Sequence, residues 1–310
     1  MGGPSHALGM TETKYRGRIA PTPTGYLHIG HALTFWRAQE RARAAAGKLV
    51  LRIEDLDVAR CRPEFRDAMV QDLKWFDLTW EEGPDVGGLF GPYVQSERRD
   101  GYRAAWEQLY AGGWIYPCQC SRRDVLDATL APHDENEEPI YPGTCRPVGV
   151  AVPPADSRPR RPPLQPAGVN WRFRVPDGDE MRFVDLRLGE QKAIAGEHFG
   201  DFIVWRKDDV PAYQLAVAVD DAAMRINEVV RGEDLLTSTF RQLLIYRALG
   251  CEPPDFYHAP LVTDERGERL AKRHASLSLR ELRQSGTKPE EIRKRYLPNL
   301  EGHAPSCPKC

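Results

Sequence analysis

Long apolar runs are missing from this 310-residue sequence. None approaches the roughly 20 residues that a membrane-spanning helix needs, so no contact with a membrane is expected. A dominant charge is missing too: 43 Lys and Arg stand against 45 Asp and Glu, a net charge of −2 at pH 7. No global field draws the chain onto a polyanion, and any nucleic acid would have to meet a local basic patch. The opening MGGPSHALGMTETK lacks the basic-then-apolar order of a secretory signal and reads as a loose leader. No internal repeat and no GxxxxGKS or GxxxxGKT phosphate loop occurs, which excludes a P-loop enzyme. Cysteines number only seven, an odd count with three of them clustered. That pattern argues against a disulfide framework and for a reducing cytoplasm, with the cluster as a metal candidate. Hydrophobic residues make up 41% and charged residues 28%, as in ordinary globular proteins.

What is present begins with PTPTGYLHIGHAL (21–33), in which two histidines flank an Ile-Gly pair. YRGRIA (15–20) before it reads as a strand. HALTFWRAQERARAAA (31–46) after it has helical spacing, with Leu33, Trp36 and Ala44 on one face and Gly47 as the stop. KLVLRIEDLD (48–57) reads as a second strand that closes in acids. Strand, helix and strand in this order predict parallel strands in a doubly wound α/β sheet. Such sheets bind ligands beyond the carboxyl ends of their strands. The 21–31 turn and the acids Glu54, Asp55 and Asp57 therefore belong to one rim. A helix N-terminus there presents unpaired N–H groups that suit phosphate, His28 and His31 add donors, and Gly30 leaves room for a base or ribose.

Two amphipathic helices are predicted in 63–112 around a polar loop at 81–97. Residues 147–166, with seven prolines, read as an extended surface loop. Strands are predicted at 171–175 and 201–208, then a helix in PAYQLAVAVDDAAM and a strand in INEVVRG. A helix at 233–250 stops at Gly250, and helical fragments follow residue 255.

The HIGH tetrapeptide after PTPTG resembles the first signature of class I aminoacyl-tRNA synthetases, which binds ATP. GRIAPTPTGYLHIGHA with RIEDLD resembles the glutamyl/glutaminyl branch in particular. PAYQLAVAVDD and EVVRGEDLL look like its amino-acid pocket segments, and RLAKRHAS (269–276) looks like its second signature. In that signature Arg269 replaces the first Lys and Ala271 the Ser, while Lys272 is retained. These matches span about residues 16–276 in family order. The resemblance implies a class I, Rossmann-type doubly wound parallel sheet, split by a zinc-bearing insertion and followed by a short helical stem-contact-like segment. The expected boundaries are a leader at 1–14, catalytic halves at 15–112 and 199–254, the insertion at 113–198, and the second-signature loop, stem-contact-like segment and tail at 255–310. It further implies ATP binding by His28, Gly30, His31 and Lys272, with His28, His31 and Lys272 stabilising the triphosphate and Mg²⁺ accompanying ATP. A glutamate site is implied at Arg18, Ile19, Ala20, Pro21, Thr22, Glu54, Tyr213 and Arg231. The chemistry agrees: two carboxylates call for cationic donors and the ammonium for an acid.

Cys118 and Cys120 form C-x-C, and Tyr141 and Cys145 form Y-x-x-x-C. Zinc takes four ligands, and by bare chemistry His133 could supply the fourth. The resemblance points instead to Tyr141, because one subfamily carries such a Cys-x-Cys…Tyr-x-x-x-Cys structural zinc site. Cys307 and Cys310 read as a tail feature. Complete branch members continue into a large helical anticodon-binding part, whereas this chain stops at residue 310. The shortened core resembles a subfamily that transfers glutamate to queuosine in the anticodon loop of tRNA(Asp). The alternatives are a glutamyl-tRNA synthetase core charging the tRNA 3′ end and a non-catalytic RNA-binding relative. A cytoplasmic monomer is expected.

Overall fold

Strand β1 (Arg16–Ile19), helix α1 (Ile29–Ala44) and strand β2 (Lys48–Leu51) form the predicted unit, with β1 and β2 parallel from Arg16↔Lys48 to Ile19↔Leu51. The computed structural model describes residues 14–121, 123–125, 140–147, 168–262 and 278–297. Helix α1 is buried on more than one side, at Ile29, Ala32, Leu33, Phe35, Ala38 and Ala42, because it packs across β1, β2 and β8 (Glu228–Gly232). Leu33 lies in that interface, but Ala44, the last residue of the helix, is exposed. A 3.6-residue period fixes one face and cannot say where along its length the cover stops.

Next come α2 (Pro63–Trp75), α3 (Arg99–Ala111), β3 (Ile115–Cys118), β4 (Asn170–Phe173), β5 (Glu180–Asp185), β6 (Gly189–Ile194) and β7 (Phe202–Trp205). Helix α4 (Tyr213–Ala223) leads into β8. Helix α5 (Leu236–Leu249) then ends at Gly250, whose φ of 66° is the left-handed geometry that favours glycine at a helix stop. Strand β9 (Asp255–Ala259) was not foreseen where helical fragments were expected; DFYHA is too short for its period to distinguish strand from helix. It pairs parallel with β8, from Glu228↔Asp255 to Gly232↔Ala259.

β1 runs beside β8, the Asn227 amide donating to the Arg16 carbonyl at 3.0 Å. Parallel strands thus come from both ends of the chain. The β5–β6 hairpin, which falls inside the expected insertion, joins this layer where Asp185 pairs with Phe256. β3, β4 and β7 form a separate antiparallel sheet. It is clamped to α3 through Trp106, edge-on to Trp171 of β4 at 4.9 Å and 6.4 Å from Trp205 of β7.

After the second-signature region, α6 (Leu279–Gln284) starts at a capping box between Ser278 and Glu281. α7 (Pro289–Tyr296) lays Arg293 over the Trp36 ring at 4.1 Å. The Leu279 amide donates to the Leu27 carbonyl at 2.7 Å, which docks this segment beside the start of α1. Among the described residues no helix is long and apolar enough to cross a membrane.

Candidate active site and cysteine cluster

A cavity of about 560 Å³ opens where β1, β2 and β8 end and α1 begins. Its lining brings together Arg18, Ala20, Pro21, Thr22, His28, Gly30, His31, Glu54, Tyr213 and Arg231. Ile19 is different: it is fully buried in the core behind the cavity. Successive strand residues face opposite sides, so Arg18 in the cavity sends Ile19 into the packing against α1. Lys272, Arg269, Ala271, His133, Cys307 and Cys310 lie outside the described residues. The chain on either side of Lys272 nonetheless flanks the cavity. Pro260, Leu261 and Val262 line it, and Ser278 forms a β-bridge with His28.

At the α1 end, the His28 and His31 rings stack with centroids 3.8 Å apart. Burial lowers the pKa of His28; burial and then the His28 neighbour lower that of His31. His31 retains open surface toward the cavity, so water moderates this effect, but both directions favour neutral rings near pH 7. Among the described residues no side chain caps α1 and no acid stands in its first turn, which leaves its leading N–H groups open to an anion. A Cβ on Gly30 would meet only His28, at an ordinary 3.5 Å. The protein's own packing does not demand glycine there; its absent side chain widens the cavity.

The other end is a buried ionic network. Arg18, 5% exposed, donates to the Val230 carbonyl at 3.0 Å and stands 3.6 Å from Asp221. Its Nε is buried without a hydrogen-bond partner among the described residues. Arg52, completely buried, reaches Glu54 at 2.9 Å and Asp221 at 2.6 Å. Asp220 takes Arg98 at 2.5 Å, Gln95 and Tyr102 both at 2.8 Å. Burial pushes the Glu54 carboxyl up, while Arg52 and Arg18 oppose the shift.

Arg231 is held otherwise. Its three hydrogen bonds go to neutral groups: Nε to His258 Nε2 at 3.2 Å, Nη1 to Gln242 at 2.8 Å and Nη2 to Thr239 at 2.6 Å. Among the described residues no carboxylate lies within 4 Å of it, and burial, followed by repulsion from Arg18, lowers its pKa. Its guanidinium is 4% exposed, and a charge buried so deeply without a carboxylate in contact gains most from an anion that enters the cavity. Tyr213, at the first turn of α4, walls the cavity and keeps 40% of its surface open.

A second constellation lies at the end of β3. The sulfurs of Cys118, Cys120 and Cys145 all fall within 4.8 Å of one another. The Tyr141 hydroxyl is 3.4 Å from Cys118 and 3.5 Å from Cys120, and Cys120 is 3.5 Å from Cys145. Zn–S near 2.3 Å and Zn–O near 2.0 Å in a tetrahedron give S···O edges of about 3.5 Å and S···S edges of about 3.8 Å. The four donors therefore fit such an ion. Arg172 supports them, donating to Cys118 at 3.3 Å and to the Asp201 carbonyl at 3.0 Å while lying 3.9 Å over the Tyr141 ring. Burial pushes the Cys145 thiol up, but the Gln119 amide and the Tyr141 hydroxyl outweigh it and bring it to about 7.

The family profile for the catalytic domain of class I tRNA synthetases (E and Q) matches residues 14–298. The chain belongs to this family. It is a synthetase of the ligase class. The Glutamyl-Q tRNA(Asp) synthetase of Symbiobacterium thermophilum is 48% identical over 89% of this chain and 83% of its own length. The protein so named from Nitratidesulfovibrio vulgaris is 46% identical over 94% of this chain and 87% of its own. A glutamate tRNA ligase from Elizabethkingia meningosepticum, solved in complex with its amino acid, superposes with a TM-score of 0.67 at 28% identity. That match covers 88% of this chain, which spans about half the length of the ligase.

Within this synthetase, the sequence reading passed over Arg52 and Asp221. Two signals could have found them. RIEDLD places Arg52 and Glu54 two apart, on one side of an extended segment. YQLAVAVDDAA sets paired acids in an otherwise apolar helix, where acids are buried only when partnered.

Proposed function

We propose that this synthetase activates L-glutamate with ATP and transfers it to queuosine at the wobble position of tRNA(Asp). In the first step a glutamate α-carboxylate oxygen attacks the α-phosphorus of ATP. The bond to pyrophosphate breaks, leaving glutamyl-adenylate. In the second, an RNA hydroxyl attacks the acyl carbon, loses its proton, and AMP departs. No enzyme nucleophile is required, and catalysis is positioning with charge stabilisation. Arg231, buried with no carboxylate in contact among the described residues, supports the choice of an acidic substrate most directly.

In this reading Arg231 and Arg18 take the two carboxylates and Glu54, aimed by Arg52, takes the ammonium. Tyr213 walls the site, and Ala20, Pro21 and Thr22 close it along the backbone. Ile19 contributes by holding Arg18 in register from behind. His28, His31 and the N–H groups of α1 receive the phosphates of ATP, which enters as its Mg²⁺ complex, and Gly30 lets the nucleoside approach. Lys272 adds charge as pyrophosphate leaves; the cavity-lining chain on either side of it supports this role. Cys118, Cys120, Tyr141 and Cys145 would hold one zinc ion, which would cross-link the polar 113–198 insertion rather than take part in chemistry. Residues 15–112 and 199–254 then form the catalytic halves, with 255–310 carrying the second-signature loop and stem contact. The enzyme would act as a cytoplasmic monomer.

The likeness to two proteins named Glutamyl-Q tRNA(Asp) synthetase, each covered over more than four-fifths of its length, supports the acceptor. Unstacked loop nucleotides are the usual target of specific RNA recognition, and a cis-diol on the modified base offers a hydroxyl like that of a terminal ribose. The test removes the terminal adenosine from queuosine-containing tRNA(Asp) and offers it with labelled glutamate and ATP. Labelling should persist. Its loss would assign the acceptor to the tRNA 3′ end instead.

A further inference from the structure

We propose that His258, oriented by Asp185, is a positioning residue that aims the Arg231 guanidinium by accepting a hydrogen bond while neutral. This rests on the reading of Arg231 as a receptor for a substrate carboxylate. His258 is fully buried on β9, with Nδ1 2.7 Å from Asp185 Oδ2 and Nε2 3.2 Å from Arg231 Nε. A guanidinium can only donate, so Nε2 must carry its lone pair and the ring proton must sit on Nδ1, against Asp185. Asp185 is itself fixed: it accepts from the backbone amides of Arg187, Leu188 and His258. The tautomer is thus set by the far end of the β5–β6 hairpin.

The arrangement explains why no acid among the described residues touches Arg231. A carboxylate in the place of His258 would hold the guanidinium equally well but would neutralise it and compete with the ligand. The imidazole transmits the orientation of Asp185 and keeps that charge one ring away. Thr239 and Gln242 are neutral for the same effect, Gln242 being tied in turn to Gln214 at 3.1 Å.

The groups around the ring are Asp185 from β5, Arg231 from β8, and Thr239 from α5, whose hydroxyl lies 3.0 Å from Nε2. Arg187 donates to the His258 carbonyl and pairs with Glu233, and the Phe183 and Phe256 rings lie with centroids 6.2 Å from the imidazole. Protonating His258 would turn an N–H toward the Arg231 N–H, cation against cation. Burial, with a smaller push from Arg231, lowers the His258 pKa and keeps it neutral near pH 7, although Asp185 pulls the other way.

The test measures kcat and KM for glutamate and for ATP by ATP–pyrophosphate exchange, between about pH 5.5 and 8, in wild type, His258→Asn and His258→Gln. Asparagine's amide reaches the Nδ1 position and can still donate to Asp185 but offers Arg231 nothing. Glutamine's carbonyl reaches the Nε2 position and restores the acceptor. His258→Asn should raise the glutamate KM about tenfold or more, with the KM for ATP unchanged, and His258→Gln should stay within about threefold of wild type. Wild type should show a rise in glutamate KM toward acid pH that His258→Gln lacks. Equal impairment of both variants, or a wild-type KM in His258→Asn, would overturn the proposal. Nitrogen-15 NMR of the wild-type ring should report a protonated Nδ1 without substrate. A protonated Nε2 refutes the relay on its own, whereas failure of wild type to exchange with glutamate refutes the substrate reading and leaves the NMR result to judge the relay.

Discussion

Arg231→Ala is the sharpest perturbation of the site. In the ligand-free protein the guanidinium is 4% exposed and its partners, His258, Gln242 and Thr239, are all neutral. Its charge therefore has its full effect only when an anion enters. Breaking a buried ion pair by removing one member costs about 3–5 kcal/mol, because the other charge is left without compensation. In the proposed site that other charge belongs to the substrate, so the loss should appear in catalysis and not in folding. At 1.36 kcal/mol per tenfold, kcat/KM for glutamate should fall by roughly two to four orders of magnitude in ATP–pyrophosphate exchange. The melting temperature should hardly change, since the variant removes an unpaired buried charge and water can enter the open cavity to serve the three acceptors. With Arg231 on the side-chain carboxylate, glutamine, whose side-chain amide leaves no charge stranded there, should lose far less, so the preference for glutamate should compress. A variant with an unchanged glutamate-to-glutamine ratio would refute the assignment, as would a loss explained wholly by unfolding.

Lys272→Ala should lower the activation rate while equilibrium dialysis finds glutamate binding intact; an unchanged exchange rate would remove this residue from the mechanism. Metal analysis should find one zinc per chain in wild type and none in Cys145→Ser. If His133→Ala released the metal and Tyr141→Phe did not, the fourth ligand would be His133. Arg52→Met should strand Glu54 and Asp221 without their shared cation and cost about 3–5 kcal/mol in urea denaturation. A change below about 1 kcal/mol would show that the network is held chiefly by its other members.

The β1–α1–β2 unit and the rim position of Glu54 were legible because a periodic helix between two short apolar runs has few alternatives. The long helices α2, α3, α4 and α5 fall where their spacing predicts. β5, β6 and β9 were not legible. EMRFVD and GEQKAI carry scarcely an apolar residue on their outer face, since the hairpin sits at a sheet edge, and Val184 there is 67% exposed. In the site, the strand–helix–strand order put Glu54 at the rim, whereas Arg18 and Arg231 were marked only by the family resemblance. Arg52 and Asp221 each carry a local signal, but nothing in the sequence says that these two residues, 169 positions apart, will meet. Ile19 shows the converse limit: a motif marks a segment, while the pleat decides which of its side chains reaches the ligand.

The same long-range network governs when the site can exist at all during folding. Arg18 closes on Val230 across 212 positions and Arg52 on Asp221 across 169. Contacts this distant form only after the intervening chain has lost its freedom, and loop closure makes them late. An intermediate holding only β1, α1 and β2 would present the two stacked histidines and Arg18 yet lack Tyr213, Asp221 and Arg231, which complete the arginine end of the cavity. A ligand of that end binds only the finished topology and stabilises it by mass action. Glutamate added to a refolding chain should thus leave the early rate untouched and slow unfolding, serving as a clock for the last step of assembly.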